Sequence, residues 1–103
     1  MANFVLLYQG GKMPETPEEG ARVMQAWTTW FSQLGDALVD GGNPASGAKT
    51  VASNGSVSTD SAFPSGYSII KADSLDAAVG LAKGCPVLAG GASVQVVETF
   101  PVM

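Results

Sequence analysis

The stretch Ser65–Glu98, SGYSIIKADSLDAAVGLAKGCPVLAGGASVQVVE, decides the fold, because it contains a strand, a capped helix and a second strand in succession. The run Tyr67–Lys71 after Gly66 predicts a strand. Asp73 and Ser74 then supply N-caps for a helix that ends at Gly84. Gly90 and Gly91 turn the chain into a last strand, Ser93–Thr99. The predicted buried stripe of this helix comprises Leu75, Ala78, Val79 and Ala82.

The amino-terminal half predicts another strand and another helix. Asn3–Tyr8 reads as a strand with apolar residues on both faces, so a single helical layer leaves one face uncovered and favours self-association. Thr16, Pro17 and Glu19 form a strong helix start with a capping box. The apolar spacing that follows predicts a helix that ends only at Gly41-Gly42. Its stripe comprises Val23, Trp27, Trp30, Phe31, Leu34 and Leu38.

A hairpin is predicted between the two halves. Lys49–Ser53 and Ser56–Thr59 flank Asn54-Gly55, a strong hairpin signal, and the second arm leads into the loop Asp60–Pro64. The whole order predicts an α+β fold, a ferredoxin-like βαββαβ unit with an extra mid-chain hairpin, as one domain over residues 1–103. The loop Asp60–Pro64 is the first candidate site, because it carries a carboxylate, a hydroxyl and an aromatic ring.

Composition excludes several function classes. The 103 residues carry a net charge of -4 and no basic cluster, so no nucleic-acid partner is expected. The longest apolar runs are too short to span a membrane, and the start of the chain lacks the pattern of a signal peptide, which predicts a cytoplasmic protein. No histidine, acidic or cysteine group has metal-site spacing, although Asp36 and Asp40 are expected on one helix face. No cofactor is predicted.

The residues resemble the YCII-related or DGPF-domain family of the dimeric α/β-barrel group. The resemblance rests on the opening FVLLY strand, the Trp-bearing helix closing on LVDGG, the hairpin leading into TDSAF, and the blocks ADSLDAAVGLAKGCP and GGASVQV. The Asp-Gly-Pro-Phe motif aligns with Asp60–Phe63, which keeps the acid and the ring but lacks Gly-Pro. The resemblance implies a homodimer in which two four-stranded sheets pack face to face and enclose a cleft between the subunits.

The resemblance also implies chemistry on small cyclic metabolites, as in dehydrochlorination by relatives that use a His and Asp pair. The chain contains no histidine, so a mechanism with imidazole as general base is excluded for this chain acting alone. Asp60 is the candidate catalytic base, because burial raises the pKa of a carboxylate. The alternative is that Asp60 caps its own turn.

Six further residues are candidates for binding a small organic ligand. Tyr8 and Gln9 end the first strand, where a ligand is expected, although Tyr8 is also an ordinary core residue type. Ser61 and Phe63 lie in the candidate loop. Ser68 and Gln95 are expected to supply hydrogen bonds if their face lines the cleft, and to be merely solvated if that face is exposed. Trp27, Trp30 and Phe31 are predicted as core rather than pocket wall.

Two functions remain open. One is a small-molecule-binding homodimer that acts as a histidine-free lyase or isomerase without a cofactor. The other is a non-catalytic dimer that binds a ligand to regulate or scaffold another process. Cys85 does not decide between them, because the negative end of the second helix raises its thiol pKa and makes it a poor nucleophile.

Overall fold

Six strands and two helices make up the protein in a computed structural model that describes residues 1–11 and 14–102. Two short 3-10 turns, Gly35–Ala37 and Pro86–Gly90, follow the helices. The elements in chain order are β1 (Ala2–Gln9), α1 (Pro17–Leu34), β2 (Leu38–Asp40), β3 (Ala48–Val51), β4 (Val57–Asp60), β5 (Gly66–Ala72), α2 (Leu75–Ala82) and β6 (Ser93–Glu98).

The strands form two antiparallel sheets. The larger sheet has the order β2-β5-β1-β6, and β3 pairs with β4 as a separate hairpin. Without the hairpin, the four strands and two helices follow one another as βαββαβ, with the order that a ferredoxin-like fold requires. The structure is therefore a small α+β fold that is compatible with the predicted class.

Both helices begin where the capping residues predict. The Thr16 hydroxyl accepts a hydrogen bond from the Glu19 N–H at 3.1 Å, and the Glu19 carboxylate accepts one from the Glu15 N–H. Ser74 caps α2 in the same way, through the N–H of Ala77. These side chains satisfy backbone donors that have no partner inside a helix, which fixes both starting points.

The prediction that α1 continues to Gly41-Gly42 is wrong. The helix ends at Leu34, where Gly35 adopts a positive φ of 54°. Leu38–Asp40 then forms β2, an edge strand paired with β5. Asp36 lies in the 3-10 turn and Asp40 in β2, so these two acids do not share a helix face as expected.

The hydrophobic core lies between one face of the large sheet and the two helices. Phe4, Leu6 and Ile70 from the sheet are fully buried there, with Trp30 and Leu34 from α1. From α2, Ala78 and Ala82 are buried, whereas Leu75 and Val79 are exposed, so half of the predicted stripe of this helix is wrong. Small alanines allow α2 to lie close to the sheet, which leaves its longer side chains outside the contact.

The opposite face of the large sheet is covered by no layer of the described chain. The strand register places Leu7 opposite Tyr67 and Gln95, and Val5 opposite Ile69 and Val97. Because side chains alternate along a strand, these residues point away from the helices. We call this surface, formed by Val5, Leu7, Tyr67, Ile69, Gln95 and Val97, the open face.

The mid-chain hairpin is confirmed, with a longer turn than the Asn54-Gly55 pair predicts. Val51 pairs with Val57, and Ala52 donates a backbone hydrogen bond to the carbonyl of Ser56 across the turn. Both valines are exposed. Neither helix among the described residues combines the length and the apolar character that a membrane crossing requires.

Candidate ligand-binding site

A buried hydrogen-bond chain supports the end of β1. The Tyr8 hydroxyl donates to Ser68 Oγ at 2.7 Å, and the Ser68 hydroxyl donates to the carbonyl of Gly41 at 2.7 Å. Ser68 has no exposed surface and Tyr8 only 5%. Burial raises the pKa of the Tyr8 hydroxyl, while the bond to Ser68 opposes that shift in part. The phenol is therefore neutral and fixes the position of the Gly41 segment.

An aromatic cavity of about 460 Å³ lies in front of this chain. Tyr8 and Trp27 meet edge to face with ring centroids 5.2 Å apart, and Trp27 and Phe31 are 5.6 Å apart. Tyr67 and the segment Gly41–Pro44 close the other side. The aromatic cavity is lined by Tyr8, Val23, Met24, Trp27, Thr28, Phe31, Gly41, Gly42, Asn43, Pro44, Ser65, Gly66, Tyr67 and Val87.

Neutral groups alone line the aromatic cavity within the described chain. No carboxylate, lysine or arginine is among its lining residues. Polar atoms come from Thr28, Asn43 and Ser65, and two of the hydroxyls already donate to backbone: Thr28 to the Met24 carbonyl and Ser65 to the Tyr8 carbonyl. Such a cavity suits a flat apolar molecule held by ring contacts and a few hydrogen bonds.

A second cavity brings together three of the predicted ligand residues. This loop cavity, of about 660 Å³, lies between the end of β1 and the loop after β4. Gln9, Ser61 and Phe63 all line it, together with Gly10, Gly11, Ala45, Ala62, Pro64 and Ser65. The loop reaches β1 because the Ser65 N–H donates to the Tyr8 carbonyl at 2.6 Å.

A third cavity of about 1040 Å³ lies between α1 and residues 84–90. We call it the arginine cavity, because Arg22 is its one charged side chain among the described residues. It shares Val23, Trp27, Ser65 and Val87 with the aromatic cavity, and Gly10, Gly11 and Ser65 with the loop cavity. The three cavities thus meet around Ser65, at the end of β1.

Asp60 lines none of these three cavities. Its carboxylate accepts a hydrogen bond from the Thr50 hydroxyl across the hairpin, and it is not among the lining residues of any of the three. The next residue, Ser61, does line the loop cavity. The role of Asp60 as a base stays a prediction, and the observed contact is a hairpin contact.

The expectation that Ser68 and Gln95 share one face is wrong. Ser68 lies opposite Leu6 on the core face, whereas Gln95 lies opposite Leu7 on the open face. The two residues therefore cannot donate hydrogen bonds into the same cleft. Gln9 is on the same face as Gln95, because Gln95 lies opposite Leu7 and Gln9 is two residues beyond Leu7 on β1.

The aromatic residues of α1 divide between core and cavity. Trp30 is 3% exposed and packs in the core as predicted, and it also lines the arginine cavity. Trp27 and Phe31 are half-buried and contact the core, but their rings also line the aromatic cavity. Sequence reasoning did not single out Met24, Thr28, Ser65 or the wall formed by Gly41–Pro44. The helical spacing 24, 28, 31 beside Trp27 was the signal that could have found the first two.

Cys85 and the acidic residues add no further chemistry to this site. Burial raises the pKa of the Cys85 thiol, which agrees in direction with the prediction but has burial as its largest cause. Cys85 is only 3% exposed, so its thiol is a poor nucleophile. Across residues 1–11 and 14–102, no group of three or more His, Cys, Asp and Glu side chains is arranged to hold a metal ion.

The fold and cavities thus define a small α+β protein with an aromatic pocket and an uncovered sheet face. Its structure is similar to that of 5-chloro-2-hydroxyhydroquinone dehydrochlorinase from Burkholderia phenoliruptrix in complex with 2,5-dihydroxybenzoquinone. The TM-score is 0.57 at 20% sequence identity, over 96% of this chain and 93% of the other. No protein-family model matches the chain, and no curated protein matches it either. The similarity is therefore one of fold, to an enzyme that processes a small molecule.

Proposed function

We propose that this protein is a homodimeric small-molecule-binding protein of the YCII-related type, whose ligand carries a flat ring. The observation that carries the proposal is the aromatic cavity, whose lining includes Tyr8, Trp27 and Phe31, with the Trp27 ring in contact with the other two. A cavity of about 460 Å³ is within the size range of small-molecule sites. The fold similarity to a dehydrochlorinase that holds a quinone supports a ligand of this size and shape.

Binding without catalysis is the better supported of the two open functions. The aromatic cavity has no carboxylate or imidazole among its described lining residues, and these are the groups that most often act as general bases. The histidine-free lyase or isomerase with Asp60 as base is the alternative. An Asp60→Asn variant with unchanged turnover on an identified substrate would exclude it.

We predict that a neutral ring compound stabilises the wild type through the aromatic cavity. With 2-naphthol at about 100 times its dissociation constant, the free energy of unfolding should rise by about 2.7 kcal/mol. Thr28→Trp should abolish this gain, because the new ring fills the cavity from α1. Thermal shift measures the gain, with the dissociation constant taken from isothermal titration calorimetry.

Ser32→Trp is the matched control for this experiment. Ser32 is exposed on the same helix and lines none of the three cavities, so its variant should keep the full stabilisation. Asp60→Ala should also keep it, because Asp60 does not line the aromatic cavity. Equal loss in Thr28→Trp and Ser32→Trp, or no binding by the wild type, would contradict the proposed ligand site.

The proposed dimer forms through the open face. Val5, Leu7 and Ile69 are half-buried in the single chain, and Val97 is 36% exposed, so an apolar surface crosses three neighbouring strands. Packing a second sheet on this surface at about 10 Å would bury it, as in sheet-on-sheet folds. Asn3, Gln9 and Gln95 supply polar groups around the apolar centre, which is the usual composition of an interface.

Leu7→Asp tests the dimer. Leu7 lies between Tyr67 and Gln95 near the middle of the open face, so a buried carboxylate there should prevent association. Light scattering after size exclusion at micromolar concentration should give a dimer mass for the wild type and a monomer mass for Leu7→Asp. Val51→Asp introduces the same charge on the exposed hairpin and should remain dimeric. A monomeric wild type would overturn the dimer but leave the aromatic cavity in place.

A further inference from the structure

The charges around the three cavities are distributed unevenly. The chain has nine Asp and Glu residues, and none of them lines a cavity, despite a net charge of -4. Within the described residues, Arg22 is the one cationic side chain that lines any of the three. From residues 1–11 and 14–102, a ligand in these cavities therefore meets one positive charge and no negative one.

Helix α1 places Arg22 beside the aromatic cavity rather than inside it. Arg22, Ala26 and Thr29 are spaced four and three residues apart and line the arginine cavity, whereas Met24, Thr28 and Phe31 follow the same spacing on the other side. Val23 and Trp27 lie between these two stripes and line both cavities. Trp27 is thus the shared wall of one continuous concave surface.

The distance between the two binding elements suits a small molecule. Arg22 and Trp27 are five residues apart, which corresponds to about 7.5 Å along the helix axis and about 140° around it, and both line the arginine cavity. A ring stacked beside Trp27 can therefore present an acidic substituent to the guanidinium group. Arginine binds a planar carboxylate with two parallel hydrogen bonds, so it favours a flat acid over a compact anion.

The acids nearest to Arg22 in sequence lie outside the cavities. Glu18 and Glu19 precede it by about one helical turn. The Glu19 carboxylate accepts a hydrogen bond from the Glu15 N–H at the start of the helix, and Glu18 is exposed. Both acids also sit where the positive end of the helix dipole stabilises them. Neither is among the residues that line the arginine cavity.

We infer that the ligand is a small aromatic carboxylic acid, with its ring in the aromatic cavity and its carboxylate at Arg22 in the arginine cavity. This inference rests on the proposed function, because it names the chemical class of the ligand of the same site. It adds a residue, Arg22, that contacts the ligand through charge and sets the preference between acids and neutral rings.

The test compares 2-naphthoate with 2-naphthamide, a neutral compound of nearly the same shape, by isothermal titration calorimetry. The wild type should bind the acid about ten times more tightly, which corresponds to about 1.4 kcal/mol. Arg22→Gln should reduce the ratio to about one without changing the affinity for the amide. Lys49→Gln removes the same charge from the exposed hairpin, outside all three cavities, and should keep the tenfold preference.

The outcomes separate this inference from the proposed function. Equal affinity of the wild type for the two compounds, or a tenfold preference that persists in Arg22→Gln, would overturn the aromatic acid while neutral-ring binding stands. Loss of the preference in Lys49→Gln as well would assign it to net charge rather than to Arg22, and would also overturn it. Failure of 2-naphthoate, 2-naphthamide and 2-naphthol alike to bind would remove both proposals.

Discussion

Trp30→Ala is expected to lose about 3 to 5 kcal/mol of unfolding free energy, a large share of the roughly 5 to 15 kcal/mol that stabilises a typical domain. Trp30 is 3% exposed and contacts the rings of Trp27 and Phe31, each with centroids 5.7 Å away. Its indole N–H donates to the Leu81 carbonyl at 3.3 Å. Alanine leaves a large void between α1 and α2 and removes the hydrogen-bond donor of that carbonyl.

Urea denaturation followed by circular dichroism measures this loss independently of tryptophan fluorescence. Trp30→Phe keeps most of the ring volume but not the indole N–H, so it should lose only about 1 to 2 kcal/mol. Met24→Ala, on the same helix but 69% exposed, should stay within about 0.5 kcal/mol of the wild type. A loss below about 1 kcal/mol for Trp30→Ala would mean that the core between the helices is not packed as described.

The sequence predicted the helix starts and the sheet class because these depend on local chemistry. Thr16 and Ser74 act as caps within three residues of their own position, so no tertiary contact is needed to find them. The prediction of where α1 ends was wrong because that end depends on a tertiary contact. Leu38 keeps the apolar spacing of the helix, yet it is partly buried because β2 pairs it with Ile70 on the core face. An apolar residue at position 38 fits a continued helix and a partly buried edge strand equally well, so the residue pattern does not distinguish them.

Trp27 and Trp30 show that the sequence pattern also does not specify which side chain of an apolar stripe is buried. Both fall on one apolar stripe, and the sequence predicts both as core residues. In the structure, the buried side chain is Trp30, whereas Trp27 lies at the edge of the core and lines two cavities. The rotation of α1 about its axis relative to the sheet decides this difference, and the residue pattern alone does not specify it.

The ligand residues Gln9, Ser61 and Phe63 were predicted from two separate segments, and the structure brings these segments together. The contact that joins them is a backbone hydrogen bond from Ser65 to Tyr8. Ser68 and Gln95 could not be assigned in this way, because their faces depend on the register of β5 and β6 against β1. A shift of one residue in either pairing would exchange their positions.

Gly42→Ala is expected to destabilise the fold by about 3 kcal/mol or more, with a fall in the melting temperature of more than about 12 °C. Gly42 has a positive φ of 73°, and a Cβ atom there would lie 1.7 Å from the Tyr67 carbonyl oxygen. The obstacle is backbone of the central strand β5, so it cannot move aside cheaply. The segment would have to leave β5 and lose the bond between its N–H and Asp40 Oδ1.

Gly80→Ala is the control with the opposite sign. Gly80 lies inside α2, and an added Cβ would meet no atom within 4 Å, so alanine should stabilise the protein by about 0.5 to 1 kcal/mol. Differential scanning calorimetry measures both variants. A melting temperature for Gly42→Ala equal to that of the wild type would show that the segment does not pack against Tyr67 as described.

The effect of Gly42→Ala on ligand binding follows from the position of the segment. Gly41, Gly42, Asn43 and Pro44 form one wall of the aromatic cavity, and the Gly41 carbonyl accepts the hydrogen bond at the end of the Tyr8 and Ser68 chain. Displacement of Gly42 should therefore open that wall, and 2-naphthol should no longer stabilise the fraction of protein that remains folded. Gly80→Ala should keep the full stabilisation by 2-naphthol, since α2 does not line the cavity. A folded Gly42→Ala variant that still binds 2-naphthol would assign the ligand to another cavity.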